Sequence, residues 1–225
     1  MATFNINNII RPNVKTMKAY SSARDEFQEI NDDFIFLDAN ENPFNNGLNR
    51  YPDPFQRNVK AILSQLKNFP ENQILLGNGS DEILDLLFRA FCEPNQDNVI
   101  SISPSYGMYN VLANLNAIEY RKSLLNIEDF QPNLADIFSK IDSNTKLIFL
   151  CSPNNPTGEI IKRATIQQIV NNFNGLVIID EAYIDFADEQ SWINEIEKFP
   201  NVIVTQTLSK AVGLAGIRLG ILYSN

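Results

Sequence analysis

No histidine occurs among the 225 residues. Within this polypeptide that excludes a Ser-His-Asp triad and a histidine metal site. Cysteine is nearly as scarce: Cys92 and Cys151 stand far apart, and Cys151 closes an apolar run, which favours two buried thiols over a disulfide scaffold. No apolar run reaches the roughly 18 residues of a membrane-spanning helix. Basic side chains are in deficit, 18 against 27 acidic, and the formal charge of -9 opposes long-range attraction to nucleic acid or anionic lipid without forbidding a local positive pocket. The opening MATFNINNIIRPN is broken by asparagines and a proline, so it lacks the apolar core of a secretory signal and points to the cytoplasm. Neither GxxxxGKS/T nor a complete GxGxxG is present, which leaves nucleoside triphosphate and dinucleotide sites with little support.

What the chain does have is a globular composition, 44% hydrophobic and 20% charged, and enough length for one large domain. Short apolar runs alternate with helical spans. Strands are expected at Ile74 to Leu76, Val99 to Ile102, Ala117 to Tyr120, Leu147 to Cys151, Leu176 to Asp180, Val202 to Thr205 and Gly216 to Leu222. Helices are expected at Phe55 to Phe69, with one buried face, and from Ser80, as N-cap, to Phe91. Further helices are expected at Tyr106 to Asn114, Ile127 to Ser139, Ile161 to Asn171 and Trp192 to Lys198. Runs such as LIFL and LVII show no polar alternation, so both sheet faces are covered. This predicts an α/β three-layer sandwich around a mostly parallel seven-stranded sheet. Active groups should collect at the carboxyl ends of the strands. Met1 to Asp33 reads either as an arm lying across the rest or as a partly ordered terminus.

The segment TLSKAVGLAGIRLG, Thr207 to Gly220, sets Lys210 behind two hydroxyl residues, Thr207 and Ser209, with Arg218 eight positions on. A lysine in such a place could hold an aldehyde cofactor as a Schiff base while its neighbours grip a phosphate, although a lone lysine is more often a solvated surface residue. Asp180 ends LVIID; it either pairs with a protonated pyridine nitrogen or caps the following turn. Tyr183 either donates to the cofactor's phenolic oxygen or fills space. Asn155 in SPNNPTG precedes Pro156 and either presents its amide to the crevice or forms an ordinary Asn-Pro turn. In GNGSDE, the glycine turn and the Ser80 hydroxyl at a helix start suit a phosphate. Tyr106, after Pro104, either stacks on a ring or belongs to the core.

Taken in order, GNGSDE, SPNNPTG, IIDEAY and TLSKAVGLAGIRLG resemble the fold-type I (class I/II) aminotransferases that use pyridoxal 5'-phosphate. LDANENPF, RYPDP, SPSYGMY and YSSAR resemble the histidinol-phosphate aminotransferase branch. The resemblance implies a pyridoxal-phosphate-binding large domain over residues 36–225. It implies an N-terminal arm with an incomplete small-domain part over 1–35, and a C-terminal small domain that is absent here, as in a fragment or a shortened product. It assigns Lys210 to cofactor attachment and proton transfer, and Asp180 to the ring nitrogen. Asn155 and Tyr183 go to the phenolic oxygen, Tyr106 to stacking, and Gly79, Ser80, Thr207, Ser209 and Arg218 to the phosphate. Tyr51 would serve the phosphate of a neighbouring subunit in a homodimer, while Tyr20 and Asn40 would line the substrate pocket. The implied reaction moves the amino group of L-histidinol phosphate to 2-oxoglutarate, giving imidazole-acetol phosphate and glutamate in histidine biosynthesis. A phospho-amino-acid decarboxylase, an aromatic aminotransferase and an inactive structural or regulatory partner remain as alternatives.

Overall fold

The computed structural model describes residues 4–20 and 37–225. Most of the expected arm beyond Tyr20, the Ser-Ser-Ala-Arg part of YSSAR and the 35/36 boundary lie outside the described residues. Strands β1 (Ile74–Asn78), β2 (Asn98–Ser103), β3 (Glu119–Leu124), β4 (Thr145–Cys151), β5 (Leu176–Asp180), β6 (Val202–Thr207) and β7 (Leu219–Tyr223) form one sheet in the order β1-β7-β6-β5-β4-β2-β3. β7 is antiparallel to both its neighbours, β1 and β6, and all other pairings are parallel. The carboxyl ends of β1, β6, β5, β4 and β2 therefore meet the start of β7 along one edge. From β2 the chain winds outward to β3 on one side and through β4 and β5 to β6 on the other, so the sheet has a switch point between β2 and β4, where open α/β sheets place their sites.

The unalternating strands are buried on both faces. On β4, Ile148 and Leu150 enter one apolar layer while Leu147, Phe149 and Cys151 enter the other. Helix α6 (Arg163–Asn172) covers the first face with Ile166, Ile169 and Val170. Helices α3 (Gly79–Phe91) and α4 (Met108–Leu115) cover the second with Ile83, Leu84, Leu87, Phe88, Leu112 and Ala113. Three layers follow.

The short helix α1 (Pro12–Thr16) belongs to an N-terminal segment that lies across α3. Ile9 is buried in the second apolar layer, and the Arg11 guanidinium donates to the Arg89 carbonyl at 2.9 Å and to Glu93 at 3.0 Å. A cation on the last-turn carbonyls of a helix is the favourable sign.

Several expected boundaries move, each for a local reason. Helix α2 (Arg57–Lys67) stops at Asn68, which is left-handed with φ 50°. Its predicted buried face is largely open: only Leu63 is buried, while Val59, Ile62 and Leu66 are 40%, 59% and 73% exposed. Periodicity specifies an apolar face but not a neighbour to cover it. Helix α3 begins at Gly79, not after a Ser80 cap, and its entry is closed by the Asn78 N–H donating to the Glu82 carboxylate. Ala117 turns left-handed with φ 56° to end α4, which delays β3 to Glu119. Helix α5 (Leu134–Ser139) starts only after Asn133, whose side chain accepts from the Asp136 N–H. Trp192–Lys198 is a 3-10 helix, and β7 starts after another at Ala215–Ile217 and left-handed Arg218.

Candidate active site

Asp180 ends β5 and is buried. Its neighbours across the ladder are Cys151 on β4 and Thr205 on β6. The Tyr109 hydroxyl donates to Oδ2 at 2.6 Å, while the Ala182 N–H and the Thr205 hydroxyl donate to Oδ1 at 3.2 and 3.3 Å. Burial pushes this carboxyl up, and the Tyr109 hydrogen bond is the first of the opposing effects. Neutral donors alone face a buried acid. A carboxylate in such surroundings favours a cationic partner.

Beyond Asp180 the chain turns through Tyr183, whose hydroxyl accepts from the Asn155 amide at 3.3 Å. Two residues expected to converge on one oxygen are thus already within reach of each other from separate strand ends. They line a cavity of about 410 Å³ together with Pro153, Gly158, Ile160 and Phe186. The Lys210 Nζ lies 5.4 Å from the centroid of the Tyr183 ring, a distance suited to a cation–π contact. Lys210 pairs with no carboxylate among the described residues. Its side chain is exposed, as are residues 211–218, so the apolar enclosure suggested by the glycine-rich sequence is instead an open rim.

The second group of residues gathers where β1, β6 and β7 meet. Gly79 has φ 77° and its N–H donates to the Arg218 carbonyl at 2.6 Å. A Cβ at Gly79 would overlap the Arg218 guanidinium, and one at Gly220 would overlap the Gly79 backbone. These glycines let the start of β7 lie directly against the N-terminus of α3, which brings a guanidinium to orphan helix N–H groups. Thr207 and Ser209 are bonded through their hydroxyls at 3.0 Å, and the Ser209 N–H donates to Thr207 at 3.2 Å. The half-buried Ser80 hydroxyl has no partner among the described residues. Hydroxyls, a helix N-terminus and an arginine form a donor set matched to a phosphate.

Tyr106 is half-buried at the switch point and donates to Asp81 at 3.0 Å. Burial first, and then that carboxylate, push its hydroxyl up to about 12. It meets the Tyr109 ring edge-on at 5.6 Å. The three remaining expected residues are not drawn into this cluster: Tyr20 and Tyr51 are 90% and 71% exposed, and Asn40 lies in an exposed loop with φ 52°. Conversely, Tyr109, Thr205 and Asp81 contact the cluster without having been singled out. Tyr109 stands three positions after Tyr106, a helical spacing that would place both rings on one face. Cys92 and Cys151 are free and buried, and burial pushes both thiols up.

The mostly parallel sheet of this α/β architecture gathers its donor sets at the strand ends, and the family profile described as aminotransferase class I and II matches residues 24–225. The chain belongs to that family. It is 62% identical over its full length to the histidinol-phosphate aminotransferase of Flavobacterium johnsoniae, of which it spans 64%. Among solved structures, the histidinol-phosphate aminotransferase of Clostridium acetobutylicum superposes with a TM-score of 0.67 at 29% identity, covering 79% of this chain and 53% of that one. The Sinorhizobium meliloti histidinol-phosphate aminotransferase, solved in complex with pyridoxal-5'-phosphate, gives 0.70 at 25% identity over 78% of this chain and 48% of its own. No helix of the described residues is long and apolar enough to cross a membrane.

Proposed function

We propose that the chain carries the pyridoxal-phosphate site of a histidinol-phosphate aminotransferase, which transfers the amino group of L-histidinol phosphate to 2-oxoglutarate. The observation that carries this reading is the pairing of two separate donor sets on one edge of the sheet. A buried carboxylate flanked by Asn155 and Tyr183 suits a cationic ring with a phenolic oxygen, and the Gly79, Ser80, Thr207, Ser209 and Arg218 cluster suits the phosphate. Bound there, pyridoxal phosphate supplies an electron sink that makes the substrate Cα proton labile. Asp180 keeps the ring nitrogen protonated by offering a charge that the protein itself leaves without a cationic partner. Tyr106 covers one face and limits water access. Lys210, on a mobile-length side chain at the rim, anchors the group and moves a proton to and from the substrate carbon. The relatives' names support histidinol phosphate as the amino donor. Cytoplasmic residence belongs to the same proposal, as does a homodimer in which exposed Tyr51 serves the neighbouring subunit; the open apolar face of α2 supports a second copy as its cover.

The test is the visible absorption spectrum of the purified chain titrated with pyridoxal phosphate, beside Lys210→Ala. A new band in the parent that is lost in the variant, and that bleaches on adding L-histidinol phosphate, is the expected result. A parent spectrum identical to free cofactor would overturn the reading. Sedimentation of the same samples checks the dimer.

A further inference from the structure

Tyr109 is the largest fully buried polar side chain in the second apolar layer and is none of the residues proposed to touch the cofactor. Its ring stacks on Phe149 of β4, with centroids 4.9 Å apart and planes inclined by 17°, and meets Tyr106 edge-on. Both contacts fix the phenol in direction as well as place, and its hydroxyl ends 2.6 Å from Asp180 Oδ2. An ionised carboxylate offers about four acceptor positions. Tyr109, Ala182 and Thr205 fill three, which leaves about one for an N–H from the crevice.

We infer that Tyr109 is a positioning residue for the cofactor: through its hydroxyl it fixes the Asp180 carboxylate in the rotamer that presents its remaining acceptor position to the ring nitrogen. The inference rests on the proposed role of Asp180. The phenol serves this purpose because it stays a donor at all ordinary pH: burial, followed by the Asp180 charge, drives its own ionisation far upward. Other ionisable groups near the pair are Cys151, buried beside the phenol, Tyr106, whose ring meets the phenol edge-on, and Asp81, whose charge acts on Asp180 from α3. None of them is cationic, and the phenol is the shortest donor to the carboxylate. The same arrangement couples the stacking residue to the acid, because Tyr106 and Asp180 both contact the Tyr109 side chain.

The experiment uses the 225-residue chain with added pyridoxal phosphate and compares the parent, Tyr109→Phe, Asp180→Asn and the double variant. Tyr109→Phe should weaken cofactor binding about tenfold, the scale of one hydrogen bond to a charged group, and the effect should vanish in the Asp180→Asn background. A purely packing role would instead give the same loss in both backgrounds and overturn the inference. In parallel, carbon-13 shifts of the Asp180 carboxyl are followed against pH without cofactor. The Tyr109→Phe change should move its midpoint upward, and an unmoved midpoint would overturn the inference even where cofactor fails to bind the parent, the outcome that sinks the proposed function instead. Should Tyr109→Phe not fold, the parent decides: the Tyr109 Cζ resonance should titrate with the Asp180 midpoint, and independence of the two would overturn the inference.

Discussion

Asp180 and Glu181 are consecutive, both carry a carboxylate, and both are 2% exposed, yet they face opposite sides of the sheet and do different work. Glu181 points away from the crevice, where its oxygens accept from the Ser191 hydroxyl at 2.5 Å, the Trp192 N–H at 2.7 Å and the Gln206 amide at 2.9 Å. Those donors come from the segment that follows it and from β6, so Glu181 ties a 3-10 helix to the sheet. The donors of Asp180 come from α4, from β6 and from its own turn. Burial raises both acids. The lesson is that burial and a perturbed acid do not by themselves mark a functional group; the company that the acid keeps does, a tie to a 3-10 helix for Glu181 and the strand ends that carry Asn155, Tyr183 and Thr207 for Asp180.

The largest expected effect separates the two residues. Asp180→Asn should weaken pyridoxal phosphate binding by about 100-fold, since a carboxylate opposite a buried cation is replaced by an amide. It should leave urea unfolding nearly unchanged, because an amide nitrogen in place of Oδ2 meets only the Tyr109 hydroxyl, which can turn to accept from it. Glu181→Gln should do the reverse: an amide nitrogen set among donors costs about 1 to 3 kcal/mol of folding stability and spares cofactor affinity in the molecules that remain folded. Cofactor titration and urea denaturation on both variants check this, and equal losses of affinity would erase the distinction between the two acids.

Next in size is the glycine contact that joins the two donor sets. Gly220→Ala would drive a methyl group into the Gly79 backbone at the entry to α3, and neither strand nor helix can yield without moving the other. We expect a loss of about 1 to 3 kcal/mol in stability together with weaker inorganic phosphate binding. Gly107→Ala, where a Cβ meets nothing within 4 Å, is the control and should change neither. Calorimetric unfolding with and without phosphate measures both.

Much of this architecture was legible from residue patterns because the central strands are apolar on both faces, and only a covered, mostly parallel sheet tolerates runs such as Leu147 to Leu150. The acid at the end of LVIID and the lysine beyond β6 were legible as chemistry, since each would be costly or idle without a partner. Tyr109 was not. Its partner is 71 residues away, and an aromatic on a helix reads as core until packing lays its ring on Phe149 and brings its hydroxyl to the end of β5. The open face of α2 was misread for the complementary reason, as its 3.6-residue period records which side is apolar and says nothing of what lies against it. Ser80 is not the cap of α3 because the helix already begins at Gly79, where the Glu82 carboxylate reaches back to accept from the Asn78 N–H, a bond that depends on the fold of the glycine turn.

A third carboxylate sharpens the comparison through its opposite response to acid. Asp142 accepts from the Asn98 amide at 2.9 Å and from Arg121 at 2.7 Å, and these bonds, the first above all, hold it well below the usual carboxylate range. Because its folded value is depressed, the stability it confers is complete above the unfolded value of about 3.9 and disappears as pH falls through the lower folded one. For Asp180 and Glu181 the folded values are raised, so their contribution is complete below the unfolded values of about 3.9 and 4.3 and is lost as pH rises through the folded ones. Asp142→Asn should therefore flatten the acid limb of the urea midpoint plotted against pH, by a small amount because the side chain is 44% exposed and screened. Asp180→Asn should leave that limb in place. An acid limb that Asp142→Asn leaves untouched would mean that the Arg121 network adds nothing in solution, and the division of the chain's acids into stabilised and tolerated charges would then rest on the two buried ones alone.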